Sequence, residues 1–136
     1  MPGLIADLEA ATHRVVDHLQ AALRPLGLTP GEVNALARLR AGEPLSVAAL
    51  QSATGQRRST LTGVIDRLEG RGLLARAVNA RDRRSFTLEL TPAGEAAARQ
   101  VHAAFAALEE RALADVGPRS VAGYQRVLEA LKEAAT

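Results

Sequence analysis

Arginine and hydroxyl side chains gather at one point of this sequence. The run Gln56-Arg57-Arg58-Ser59-Thr60 opens a predicted helix, and every side chain in it can donate a hydrogen bond. Thr62 and Arg67 extend the same candidate surface along that helix. Arginine pairs bidentately with phosphates and with guanine edges, glutamine can pair with adenine, and a helix N-terminus favours anions. Taken alone, such a polar run is as often a solvated helix face.

A second arginine group lies in a predicted hairpin tip and consists of Arg81, Asp82, Arg83 and Arg84. An arginine at such a tip can enter a minor groove, where narrow A·T-rich DNA concentrates negative potential. Asp82 is expected to accept hydrogen bonds from a neighbouring arginine and so hold the shape of the loop. Without the neighbouring helix, a solvated loop would be the favoured interpretation of this tip.

The charge of the chain is unevenly distributed. Residues 56–84 hold eight arginines and three acids, a net charge of +5, whereas the other nine basic and twelve acidic residues give −3. A basic stripe on a nearly neutral body indicates a polyanionic partner such as nucleic acid.

Composition excludes several other classes of protein. The 136 residues suit one domain, and the chain has no cysteine for a disulfide, a thiolate metal site or a redox sensor. We see no signal peptide and no membrane span, so we expect a cytoplasmic protein without membrane contact. The three histidines, His13, His18 and His102, form no metal or catalytic spacing. We therefore expect no enzyme activity, no cofactor and no bound metal.

Apolar residues at helical spacing predict six helices. They cover about residues 4–24, a segment capped by Thr29, a short segment capped by Ser46, residues 56–69, residues 91–115 and a last segment after Pro118. Residues 73–78 and 85–90 alternate like strands and predict a hairpin. The expected fold is mainly α with a small β-hairpin wing (α+β).

The short third helix, a turn at Thr54-Gly55 and the fourth helix form a predicted helix-turn-helix. In that motif the second helix, called the recognition helix, enters the major groove with its N-terminal residues on the base edges. A basic hairpin directly after it is typical of a winged helix.

Three segments in this region resemble the MarR family of transcriptional regulators. They are Leu68-Glu69-Gly70-Arg71-Gly72-Leu73-Leu74 through Arg76, then Asp82-Arg83-Arg84-Ser85, then Leu88-Glu89-Leu90-Thr91-Pro92-Ala93-Gly94. The resemblance spans about residues 36–94. It implies a homodimer on double-stranded DNA with a pseudo-palindromic operator, and repression relieved by a small phenolic or otherwise amphipathic acid in a cleft between the dimer region and the DNA lobes. It identifies Asp82 and Arg84 as the wing aspartate and arginine, and residues 56–69 as the recognition helix.

The domain organisation expected from this is a single domain over residues 1–136. Residues 28–92 form the winged helix-turn-helix lobe, and residues 1–27 and 93–136 supply dimerisation helices. The expected dimer residues lie on apolar stripes of the outer helices and are Leu4, Leu8, Val15, Leu19, Val101, Phe105, Leu108, Val121, Tyr124, Leu128 and Leu131. An ordinary monomeric core is the alternative explanation of such stripes.

The function expected is a sequence-specific, ligand-responsive repressor. A winged helix that binds another protein, without sequence-specific DNA binding, is the alternative. Arginines on both the recognition helix and the wing favour DNA.

Overall fold

The computed structural model describes residues 3–79 and 82–136, without the side chains of residue 79 and residues 82–84. The helices are α1 (Leu4–Ala22), a 3-10 turn (Arg24–Leu26), α2 (Pro30–Arg38), α3 (Val47–Thr54), α4 (Arg58–Gly70), α5 (Pro92–Ala112) and α6 (Pro118–Ala134). The strands are β1 (Leu45–Ser46), β2 (Leu74–Asn79) and β3 (Asp82–Leu90). The predicted mainly α fold with a hairpin is confirmed. No helix in the described part of the chain has an apolar stretch long enough to cross a bilayer.

Two of the helix caps that the sequence predicts are those of α2 and α3, and both are present. The Thr29 hydroxyl accepts a hydrogen bond from the Glu32 amide at 3.3 Å, and the Ser46 hydroxyl accepts one from the Ala49 amide at 3.0 Å. Each hydroxyl satisfies an amide that has no partner within its helix. These caps fix where α2 and α3 begin.

The three strands form an antiparallel sheet in the order β1-β3-β2. Strand β2 pairs with β3 from Leu74↔Leu90 to Val78↔Phe86, and the register shifts before Asn79↔Asp82. The two-residue strand β1 was not predicted, because two residues are too short for an alternating pattern to be visible.

The core of the helix-turn-helix region is built almost entirely of leucine and valine. Leu36, Leu50, Leu61, Leu68 and Leu88 are among its fully buried members. Leu61 and Leu68 come from the recognition helix, so α4 is packed into the lobe along one face.

Two residues expected at a dimer interface are buried within the single chain. Leu19 is 6% exposed and Val101 is fully buried. Helical spacing shows that a stripe is covered but not what covers it, so their place at an interface stays a prediction.

The chain divides into two compact units, one up to Ala104 and one from Phe105 to Thr136. The second unit contains α6, which has an apolar stripe but no buried residue of its own. Tyr124 in α6 is 56% exposed, and Val127 is also exposed.

A close backbone contact joins the end of α4 to the start of α5. Gly72, with φ of +73°, turns the chain so that the Leu73 amide donates to the Leu68 carbonyl at 2.9 Å. The Thr91 amide and hydroxyl donate to the Leu73 and Gly72 carbonyls at 3.2 and 2.6 Å. A Cβ at Gly94 would lie 1.8 Å from the Leu73 oxygen, so only glycine allows this approach. Leu73 is therefore part of a helix cap rather than the first strand residue that we predicted.

The first prediction concerns Gly94→Ala. Because the added methyl would overlap a backbone carbonyl that cannot swing away, we expect a loss of about 3 kcal/mol in the free energy of unfolding, measured by urea denaturation.

Gly123→Ala in α6 is the matched control, since the nearest atom to its added methyl is Arg126 Nη2 at 3.8 Å. Alanine in a helix should there stabilise the protein by about 0.5–1 kcal/mol. A Gly94→Ala protein as stable as its parent would show that the contact with Leu73 is looser than described.

Candidate DNA-binding interface

The helix-turn-helix consists of α3, a turn from Gly55 to Arg57, and α4. Gly55 ends α3 with φ of +72°, a conformation that favours glycine. The Asn34 amide donates to the Thr54 carbonyl at 3.2 Å, and the Gln56 amide donates to the Gly31 carbonyl at 3.2 Å. Two side-chain amides therefore hold the turn against α2, which fixes the point where α4 begins.

Gln56 does not occupy the position that we predicted for it. It lies in the turn, two residues before α4 begins at Arg58, and its Nε2 is bonded to Gly31. Its Oε1 is buried and has no hydrogen-bond partner among the described residues. Gln56 thus anchors the turn through its Nε2, and a contact with DNA stays a prediction.

The first turn of α4 is exposed, polar and uncapped. Arg57 is the N-cap residue and supplies no side-chain cap, and Arg58, Ser59, Thr60 and Thr62 are all exposed. The first helical amides before Leu61 have no partner inside the helix. Neither Arg57 nor Arg58 has an ion-pair partner within residues 3–79 and 82–136. Two free guanidinium groups and free amides at a positive helix end suit phosphate oxygens or base edges.

A buried carboxylate fixes the other face of α4. The Glu32 side chain is only 4% exposed, and its Oε1 lies 3.2 Å from Arg67 Nε and 2.9 Å from the Thr29 hydroxyl that donates to it. Its Oε2 lies 3.8 Å from Arg71 Nη1. A buried charge needs such partners, so α2 and α4 are joined where Glu32 meets two arginines of one α4 face.

Arg71 also donates hydrogen bonds to the chain segment before α2. Its Nη1 and Nη2 donate to the Gly27 and Leu26 carbonyls at 3.1 and 2.6 Å. These carbonyls end the 3-10 turn and would otherwise lack a helical donor.

Arg67 was expected to contact DNA, and its Nε has a structural partner in Glu32. The Arg67 side chain is 54% exposed, so the contact with DNA stays a prediction. The two residues are 35 positions apart, so no local sequence pattern predicts this ion pair. The role of Glu32 as the acid shared by two arginines was not predicted from the sequence.

The backbone of residues 82–84 lies in β3, whereas Arg81 lies outside the described residues. The side chains of Asp82, Arg83 and Arg84 are also outside the description, so the roles assigned to these four residues stay predictions. At the base of the hairpin, Arg76 forms ion pairs with Asp66 and with Glu69 of α4. Sequence analysis gave Arg76 no role beyond its charge.

Five of the eight arginines between residues 56 and 84 have described side chains, and these five differ in environment. Arg67, Arg71 and Arg76 are paired with carboxylates, whereas Arg57 and Arg58 are free at the start of α4. Among these five, the positive charge that is left for a partner lies where the helix begins.

A small pocket of about 170 Å³ lies beside the far end of α4. It is lined by Leu26, Leu28, Arg71, Leu73, Ala93, Ala96, Ala97 and Gln100. Six apolar residues and one guanidinium could accept a small molecule with an apolar body and a carboxylate. Among the described residues, no group of three or more acidic or histidine side chains is placed to hold a metal ion.

Comparison with known proteins places this geometry in a family. The MarR family model matches residues 28–86. The chain is 33% identical over 113 residues to the HTH-type transcriptional repressor Rv2887 of Mycobacterium tuberculosis, covering 83% of this chain and 81% of the repressor. It is 30% identical over 95 residues to the repressor MdtR of Bacillus subtilis, and these cover 70% of this chain and 61% of MdtR. The matched region thus spans about three fifths of the length of MdtR.

Solved structures agree with this assignment. BpsR of Bordetella bronchiseptica, whose DNA binding is regulated by 6-hydroxynicotinic acid, superimposes with a TM-score of 0.77 and 26% identity over 95% of this chain and 92% of BpsR. The helix-turn-helix, the hairpin wing and the flanking helices are therefore shared features of fold. The chain belongs to the MarR family of DNA-binding transcriptional regulators.

Proposed function

We propose that this protein is a ligand-responsive repressor that binds a pseudo-palindromic operator as a homodimer. The observation that carries the proposal is the uncapped, exposed first turn of α4, with Arg57 and Arg58 free of partners within the described residues. The relatives Rv2887 and MdtR are named transcriptional repressors, which supports repression as the mode of action.

The exposure of the first turn of α4 supports major-groove binding. Arg58 is the first residue of the helix, nine residues before Arg67, and its side chain is exposed. Ser59 and Thr60 follow it, are exposed as well, and can bond phosphates or bases.

We expect Arg57→Ala and Arg58→Ala each to weaken operator binding by about 1–3 kcal/mol if the arginine contacts a base, and to relax the preference at one base position. The measurement is fluorescence anisotropy on the specific fragment, found first by gel shift on DNA flanking the gene, with random DNA as competitor. Arg99→Ala is the charge-matched control, because Arg99 is exposed on α5 away from this turn.

Operator binding by both variants at the parent's affinity would contradict the assignment of this turn. The protein-binding alternative makes a different prediction, namely weak DNA binding with no sequence preference. A DNA-binding parent must instead lose affinity steeply as salt concentration rises, because phosphate contacts release counterions.

The wing completes the proposed interface. We place Arg81, Asp82, Arg83 and Arg84 at its tip, with Arg84 entering the adjacent minor groove and Asp82 shaping the loop. The continuous pairing of β2 with β3 up to Val78↔Phe86 supports this, since it extends a ribbon toward the tip. Arg84→Ala should weaken binding most on operators with A·T-rich flanks.

The dimer is supported by apolar side chains that the single chain leaves uncovered. Leu4 and Val15 of α1 are 46% and 43% exposed, and α6 has no buried residue. We retain nine of the predicted interface residues, which are exposed or half-buried: Leu4, Leu8, Val15, Phe105, Leu108, Val121, Tyr124, Leu128 and Leu131. On this basis we propose that residues 1–27 and 93–136 form the dimer. Residues 28–92 form the DNA-binding lobe of the same single domain.

Leu128→Glu should convert the dimer to a monomer in sedimentation velocity, because a buried, unpaired carboxylate at an interface is costly. Ala130→Glu is the control, since it adds the same charge at an exposed position on the opposite face of α6. A monomeric parent, or an unchanged dimer in Leu128→Glu, would contradict the proposed interface.

The ligand is proposed to be a small aromatic acid in the pocket beside Arg71. BpsR supports this class of ligand through 6-hydroxynicotinic acid, and the apolar walls suit a ring. Arg71 bonds the Leu26 and Gly27 carbonyls and faces Glu32, so a carboxylate on its guanidinium would compete with contacts that hold α4. Such competition gives ligand binding a route to operator release.

Ala93→Leu tests the pocket, because leucine would fill it from an exposed position on α5. With 6-hydroxynicotinate and salicylate as probes, we expect operator release in the parent and intact operator binding without release in the variant. Equal release of parent and variant would place the ligand elsewhere, and a parent that neither probe releases would contradict this ligand class.

A further inference from the structure

The outer part of the wing has little support from the sheet. Strand β1 pairs with β3 only at Leu45↔Leu88 and Ser46↔Thr87. Beyond Thr87 the hairpin is a two-stranded ribbon, and its register shifts between Val78 and Asn79. Two-stranded ribbons are marginally stable and twist strongly. The pairing of β2 and β3 alone therefore does not fix where the tip points.

Arg76 contacts both the ribbon and the recognition helix at the place where the third strand ends. Its Nη2 donates to Asp66 Oδ1, and its Nε lies 3.3 Å from Glu69 Oε2. Its guanidinium carbon lies 4.9 Å from the centroid of the Phe86 ring on β3. One side chain thus touches α4, β2 and β3 together.

The geometry of this contact is specific. Asp66 and Glu69 are three residues apart and share one face of α4, so the two carboxylates present a fixed pair of acceptors. A planar guanidinium can bond both and still stack on an aromatic ring, which a lysine ammonium cannot do. Within the described residues, these are the ion pairs that join α4 to the hairpin.

We infer that Arg76 is a positioning residue that sets the angle of the wing against the recognition helix. This inference rests on the proposed DNA-binding function, since the angle decides whether the tip meets the minor groove while α4 occupies the major groove. Two carboxylates balance its charge, and its task is to orient the wing rather than to contact phosphate.

The orientation can be measured without DNA. Because the chain has no cysteine, spin labels can be placed at Ser52→Cys on α3 and Val78→Cys on β2, both exposed. Pulsed electron paramagnetic resonance, with labelled chains diluted in unlabelled protein, should give a narrow distance distribution in the parent. Arg76→Gln should broaden or shift it, and Arg99→Gln should not. An unchanged distribution in Arg76→Gln would overturn the inference.

The consequence for DNA is measured on duplexes that share one operator core and differ in A·T or G·C flanks. The parent should prefer A·T flanks, and Arg76→Gln should lose that preference while its discrimination among core bases stays unchanged. Arg76→Lys should not restore the preference. Asp66→Asn with Glu69→Gln should also lose it, although general DNA affinity rises because two negative charges are removed.

A uniform loss of affinity in Arg76→Gln, with the flank preference intact, would make Arg76 a phosphate contact and overturn the inference. A parent that binds no DNA specifically would refute the proposed function, and the label distances would then decide the role of Arg76 alone.

Discussion

The recognition helix depends on one buried negative charge. Glu32 is 4% exposed, and a carboxylate in that environment is tolerated only with charged or hydrogen-bonding partners. Arg67 and Arg71 supply them from one face of α4, and Thr29 supplies a third contact from the start of α2. This arrangement joins α4 to α2. The first turn of α4, with Arg57 and Arg58, is exposed, and we propose it as the DNA-binding surface.

Backbone geometry fixes the far end of the same helix. Gly72 turns the chain, the Leu73 and Gly72 carbonyls accept bonds from Thr91, and the absence of a side chain at Gly94 lets α5 start against them. Because both ends of α4 are held, the turn before it and the hairpin after it start from fixed positions. Arginine serves two purposes in this small region, since some of these side chains hold the lobe together and others remain free for an anionic partner.

The features that could be predicted from the sequence are those that depend on neighbouring residues. The caps at Thr29 and Ser46 and the turn at Gly55 depend on neighbours within a few residues, and they were predicted correctly. The contacts of Gln56 and Arg67 with Gly31 and Glu32 were not predicted, because these partners lie 25 and 35 residues away. Leu19 and Val101 show a related difficulty, since a helical stripe looks the same whether its own chain or a second copy covers it. Arg76 was missed because its role exists only once α4, β2 and β3 have met.

We propose that two such lobes present their α4 helices to successive major grooves of one operator. Hydroxyl-radical footprinting of the parent on its specific fragment measures this arrangement directly. We expect two protected regions related by two-fold symmetry and centred about 10 base pairs, or a multiple of that, apart, with added minor-groove protection outside each. A single unsymmetrical footprint, or diffuse protection of any DNA, would contradict it.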